Sequence, residues 1–200
     1  MKKPCHWLYA AVLPTAAFFS ALLLAEALWI PLKAELAQWL IERSWQETLR
    51  GNPGARPWPW ADTRAVAVLS VPKLGVSQVV LEGNSGRNLA FGPVLLDGSL
   101  NGRDRIISGH RDTHFRFLEF LQAGDRIRLA TRETSRWFEV RYVDIVDSRK
   151  QQLIVDPGVD RVSLVTCYPF SSLQAGGPLR YVVTALPVEN GVSPRQPSSG

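Results

Sequence analysis

The chain has 200 residues, 46% of them hydrophobic and 20% charged, with a formal net charge of +5. That length suits one globular domain plus an N-terminal extension. The positive charge is not gathered into runs of Lys and Arg, which argues against a nucleic-acid footprint, and cysteines as far apart as Cys5 and Cys167 suggest no disulfide framework.

Lys2 and Lys3 precede a nearly continuous apolar stretch over 7–30. This pattern predicts a transmembrane helix over 1–31 with its N-terminus in the cytoplasm. Ala25-Glu26-Ala27 offers the small-residue site of a cleaved signal peptide as the rival reading. The apolar run is long for a signal peptide and continues through Leu28, Trp29 and Ile30, which favours an uncleaved signal anchor. Either way the rest of the chain lies outside the cytoplasmic membrane, and a single pass is expected.

Pro31 starts or kinks the next segment. Leu32, Leu36, Trp39, Leu40 and Arg43 fall on one side at helical spacing, predicting an amphipathic helix to about Leu49. It either packs on the following domain or lies along the membrane surface. Gly and Pro over 51–60 mark a linker, in which Trp58 and Trp60 are apolar enough to dock against the domain. Residues 32–61 are thus read as helix plus linker.

From Asp62 the pattern becomes short strands separated by turns: 64–71, 76–82, 105–108, 125–131, 136–147, 160–166 and 180–186. A short helix is predicted over 113–121, capped by Asp112. Many short strands and little helix predict a mainly β domain over 62–186, a closed or nearly closed barrel. The tail, 187–200, is polar and rich in Pro and Ser and is expected to be disordered.

Three of these strands end or begin on chemistry. The strand at 160–166 runs into Cys167 and is stopped by Pro169, which has no N–H for a ladder. A cysteine there is either a buried structural thiol or a nucleophile held at a rigid strand end. The strand at 105–108 runs into Gly109-His110, and Arg180 opens the last strand after a Gly/Pro loop. A thiol, an imidazole to exchange its proton and a cation for a developing oxyanion are what thiol acyl transfer needs.

Together the three stretches resemble the sortases, cysteine transpeptidases of bacterial surfaces. The family's Thr-Leu-x-Thr-Cys motif is matched by Ser163-Leu164-Val165-Thr166-Cys167, with Ser in place of the first Thr. Ser108-Gly109-His110-Arg111-Asp112-Thr113 and Thr166-Cys167-Tyr168-Pro169-Phe170 are most similar to class D-like sortases of Gram-negative bacteria. The resemblance spans roughly 62–186 and implies an eight-stranded barrel. It implies that Cys167 attacks a Leu-Pro-x-Thr-Gly-like sorting signal on a secreted protein and forms a thioester that an amine acceptor, not named by the sequence, resolves. His110 would be the acid–base and Arg180 the hydrogen-bond donor. Taken alone, Arg180 reads as a surface or ion-pair residue.

Phe115, Thr166 and Tyr168 are candidate substrate-binding residues; core packing is the competing reading for Phe115 and Tyr168. Asp112 reads as a helix cap rather than a third member orienting His110. His114, followed by Phe115 and Phe117, reads as a packing residue, and no Cys-x-x-Cys supports a metal. Asp97, Asp104 and Asp125 are too dispersed for a calcium loop. No metal and no cofactor is expected, and the chain is expected to act as a monomer on a membrane without nucleic acid. Two other functions stay open: a different envelope thiol acyl-transferase, whose L,D-transpeptidase form would need a Ser-His-Gly-Cys run absent here, or a catalytically silent scaffold barrel.

Overall fold

A computed structural model describes residues 6–83, 85–96, 102–152, 154–172 and 176–188. Lys2, Lys3, Cys5, Asp97 and the tail beyond 188 fall outside these residues. The chain divides into two compact units between Trp39 and Leu40.

One helix, α1 (His6–Leu49), contains both Pro14 and Pro31. Pro31 therefore does not start a new helix: Leu28, Trp29, Leu32, Lys33 and Ala34 flank it with helix formers that outweigh one missing backbone bond. In the first unit, Leu13, Phe18, Phe19, Leu23, Leu28 and Ile30 are all exposed. The helix is long and apolar enough to cross a membrane.

In the second unit, the last turns of α1 bury Ile41, Ser44, Trp45 and Thr48. Ile41 packs with Leu81 and Val94, flanked by Trp58, Val79, Leu89 and Phe91. The buried stripe is not the one expected from Leu36 and Trp39, which are exposed. The partly polar row at 41, 44, 45 and 48 faces the barrel instead. Of the two linker tryptophans only Trp58 docks, edge-on to Phe91 at 5.0 Å. Trp60 is 82% exposed, contrary to expectation, because the Pro-rich linker turns it away from the domain.

Eight strands close the barrel: β1 (Ala65–Val71), β2 (Val76–Glu82), β3 (Val94–Leu95), β4 (Asp104–Ser108), β5 (Arg126–Thr131), β6 (Ser135–Asp147), β7 (Arg161–Cys167) and β8 (Leu179–Pro187). Their order around it is β1-β2-β3-β4-β7-β8-β6-β5. β1 alternates buried and half-buried positions along its whole length, as a strand with one face inside requires. Its side chains meet Ile127, Phe138, Leu164 and Val183 in the core.

The β4–β7 pair positions the site. The two strands are parallel, with Asp104 opposite Arg161 and Ser108 opposite Val165. β7 is buried at five consecutive positions, Val162 to Thr166, because strands flank it on both sides and both faces are covered. At the start of the pair Asp104, fully buried, takes both arms of the Arg161 guanidinium (2.8 Å each) and the Asp156 N–H (2.8 Å). Asp125 takes Lys73 at 2.7 Å. Both carboxylates are thus held by cations.

Candidate active site

Each of the three strand-end residues is held from below. Past Ser108 the chain stays bonded to β7: Gly109 N–H donates to the Val165 carbonyl (3.1 Å), and the buried Thr166 hydroxyl donates to the Gly109 carbonyl (2.8 Å). His110 follows at once, and the Phe115 N–H closes the turn onto its carbonyl at 2.9 Å. The backbone that carries His110 is therefore pinned to the two residues that precede Cys167.

Glycine is required at 109. A Cβ there would lie 2.7 Å from Phe115 Cγ and 2.9 Å from both Cδ atoms, well inside the ~3.5–4.0 Å of carbon–carbon contact. Phe115 has zero exposure and sits edge-on to Phe117 at 5.6 Å. It belongs to the core beneath the site and not to a substrate surface. Thr166, 1% exposed, likewise supports the site from below.

On the other side of β7, Cys167 is the direct cross-strand partner of Arg180 on β8. Such partners hold their Cβ atoms about 4.5–5.5 Å apart. The Tyr168 N–H donates to the Leu179 carbonyl (3.0 Å), extending the pairing one residue past Cys167. His110 is exposed, and Cys167 and Arg180 are half-buried. The Arg180 Nη1 lies on the Gly177 carbonyl and, at 3.0 Å, on that of Leu179. Tyr168 is half-buried, stacked on Tyr181 (6.0 Å) and edge-on to Phe170 (6.2 Å). Burial and the neighbouring Tyr168 push the Tyr181 phenol up.

A cavity of about 420 Å³ opens over the thiol, lined by Cys167, Tyr168, Pro169, Ser172, the 176–179 loop, Arg111 and Arg149. A larger one, about 540 Å³, gathers the first residues of β1 and β4 and the ends of β2 and β5. It is lined by no cysteine or histidine, whereas the smaller cavity holds Cys167.

Arg111 and Asp112 depart from expectation. Asp112 caps nothing: the 3-10 helix begins at Arg116, with Phe115 before it. The Asp112 carboxylate instead takes Arg111 Nε (2.7 Å) and Nη2 (2.9 Å), and this bond holds its carboxyl below the usual range. Arg111 is 5% exposed. Its Nη1 donates to the Pro169 carbonyl and its Nη2 to that of Ser172, both at 2.7 Å. The Asp112 bond raises its guanidinium above the ordinary value. In the sequence its signal is an Arg-Asp pair directly after the histidine, which does not reveal that the arginine turns inward. Arg149 is bound to Asp147, whose carboxyl is held down at about 2 by that bond.

Among known proteins, the Sortase domain family model matches residues 69–188. The chain is 31% identical over 125 residues to Sortase D of Bacillus subtilis (strain 168), covering 60% of this chain and 62% of that protein, just under two thirds of its length. The Clostridium perfringens Sortase D5 transpeptidase superposes with a TM-score of 0.59 at 20% identity, over 77% of this chain and 99% of that one. Listeria monocytogenes sortase A does so at 0.58 and 19% identity, over 66% and 91%.

Proposed function

The chain belongs to the sortase family of cysteine transpeptidases, and from that premise we propose that it is a membrane-anchored enzyme that cuts a Leu-Pro-x-Thr-Gly-like sorting signal and transfers the acyl fragment to an amine. The observation that carries this reading is strand register. Cys167 ends β7 opposite Arg180 of β8, while the backbone leading into His110 is bonded to Val165 and Thr166.

The cycle follows from those groups. His110 takes the thiol proton, and the Cys167 sulfur attacks the Thr carbonyl carbon of the signal. The carbon–nitrogen bond to Gly breaks as His110 returns the proton to the leaving amine, leaving a thioester on Cys167. An acceptor amine then attacks the thioester, passing a proton through His110 back to the departing thiolate. Arg180 donates to the oxyanion or to the substrate backbone through Nε and Nη2, while its Nη1 stays on the Gly177 and Leu179 carbonyls. A preorganised donor of this kind is worth on the order of 10²–10³ in rate.

Residues 1–31 act as an uncleaved signal anchor, with the barrel on the extracytoplasmic side and the secreted, signal-bearing protein as its partner. The apolar exposed face of α1 supports anchoring. Alkaline phosphatase fused after Ala185 tests the sidedness: activity is expected, and activity of only a cytoplasmic reporter contradicts it. Catalysis is tested by cleavage of a Leu-Pro-x-Thr-Gly peptide with hydroxylamine as acceptor. Wild type yields the hydroxamate, whereas Cys167→Ala and His110→Ala yield none. Hydroxamate from Cys167→Ala removes the assignment.

A further inference from the structure

We propose that Arg111 is a positioning residue of the acyl-transfer site, a buried guanidinium strut that locks the Cys167-bearing exit of β7 to the His110-bearing turn after β4. The inference rests on the transpeptidase reading of Cys167 and His110 and adds a residue that touches neither the substrate nor the transferred proton.

A guanidinium at 5% exposure is costly unless its donors are used. Here all three of its nitrogens are engaged: Nε and Nη2 on Asp112, Nη1 on the Pro169 carbonyl and Nη2 also on the Ser172 carbonyl. The two carbonyls lie just past Cys167, where β7 has ended, and that of Pro169 also accepts the Ser172 N–H at 3.3 Å. The planar fork spans both, which a single ammonium cannot do. The strut therefore joins segments 58 and 61 residues apart in sequence, beside the reacting thiol. Together with the Gly109 bonds, it fixes the separation of Cys167 and His110 from a second side.

The strut also carries charge. Arg111 lines the cavity over Cys167 and couples electrostatically to it. Arg180 stands across the strand from Cys167, and Arg149 and Tyr168 line the same cavity. Asp112 is spent on Arg111 and Asp147 on Arg149.

The full chain in detergent provides the test, with two readouts. In turnover of the Leu-Pro-x-Thr-Gly peptide, Arg111→Gln is expected to lower kcat about 10²-fold, the size expected for a small misplacement of reacting groups. Its KM should stay within about threefold, and Arg111→Lys should not rescue kcat. In hydrogen exchange, the amides of residues 168–172 and of the 110–115 turn exchange faster in Arg111→Gln than in wild type, while those of β1 and β6 are unchanged. Asp112→Asn, which keeps an acceptor for the fork, shows the same change to a smaller extent. Wild-type kcat in Arg111→Gln overturns the proposal, and so does unchanged exchange at both segments. If Arg111→Gln fails to fold by circular dichroism, Asp112→Asn decides: wild-type kcat and wild-type exchange there overturn the proposal. Exchange needs no peptide, so a wild type that never cleaves the signal sinks the function while the Arg111 result still stands.

Discussion

Replacing Gly109 by alanine adds one methyl group, yet its consequences are large because of where that methyl lands. The new Cβ meets the Phe115 ring at 2.7–2.9 Å. The ring has no exposure and is wedged against Phe117, so it cannot swing into solvent. The backbone must move instead, and at Gly109 it is bonded through its N–H to Val165 and through its carbonyl to Thr166. Overpacking of this kind costs about 1–3 kcal/mol, or about 2–4 °C in Tm per kcal/mol for a chain of this size. The displacement passes to His110, the next residue, and a shift of about 1 Å between reacting groups is worth about 10² in rate. Expected, then, are a moderate loss of stability in urea and a much larger loss of single-turnover cleavage. Phe115→Leu in the same chain removes the ring and should restore part of the rate, making the two changes non-additive. Wild-type kinetics in Gly109→Ala, or strict additivity with Phe115→Leu, would refute the idea that this contact sets the His110 position.

Three further outcomes follow from the fold. Trp45→Ala should cost about 3–5 kcal/mol in urea unfolding, as for a large buried aromatic, whereas Trp60→Ala should stay within about 0.5 kcal/mol; equal effects would remove the end of α1 from the folded unit. Asp104→Ala strands Arg161, still in part exposed to water, at the start of the β4–β7 pair and should cost about 2–3 kcal/mol, with Asp104→Asn milder. Burial lowers the imidazole of His114, chiefly by desolvation, while its bond to the Ala90 backbone opposes this. The unfolded chain therefore binds this proton more readily than the folded one. Stability present above the ordinary imidazole range, about pH 6.5, is lost as pH falls through the lower folded value. His114→Gln should flatten the Tm–pH profile between about pH 7 and 5.5, and an unchanged profile would contradict the assignment.

The parts of the site read from sequence are those in which one residue dictates local geometry. Pro169 ends β7, so Cys167 had to stand at a strand end; the glycines and Pro178 before Arg180 likewise marked a strand start. Gly109 preceding His110 was visible, but its reason, the Phe115 ring under it, is a tertiary contact. β3 went unseen because two residues carry no period. The stripe of α1 that packs on the barrel, Ile41, Ser44, Trp45 and Thr48, is half polar and so lacks a clear apolar period, whereas Leu36 and Trp39 remain exposed. Asp112 had the position of a cap, yet a guanidinium one residue away outcompetes a backbone N–H for a carboxylate, since a charge-assisted, bidentate pair is the stronger bond.

The measurement that bears most directly on the central claim is intact-mass spectrometry of the chain after a single turnover with a Leu-Pro-x-Thr-Gly peptide and no added amine, followed by peptide mapping. The account predicts one acyl adduct of the mass of the fragment ending in Thr, on Cys167, released by hydroxylamine and absent from Cys167→Ala. An adduct on Cys5, or cleavage that persists in Cys167→Ala, would contradict it.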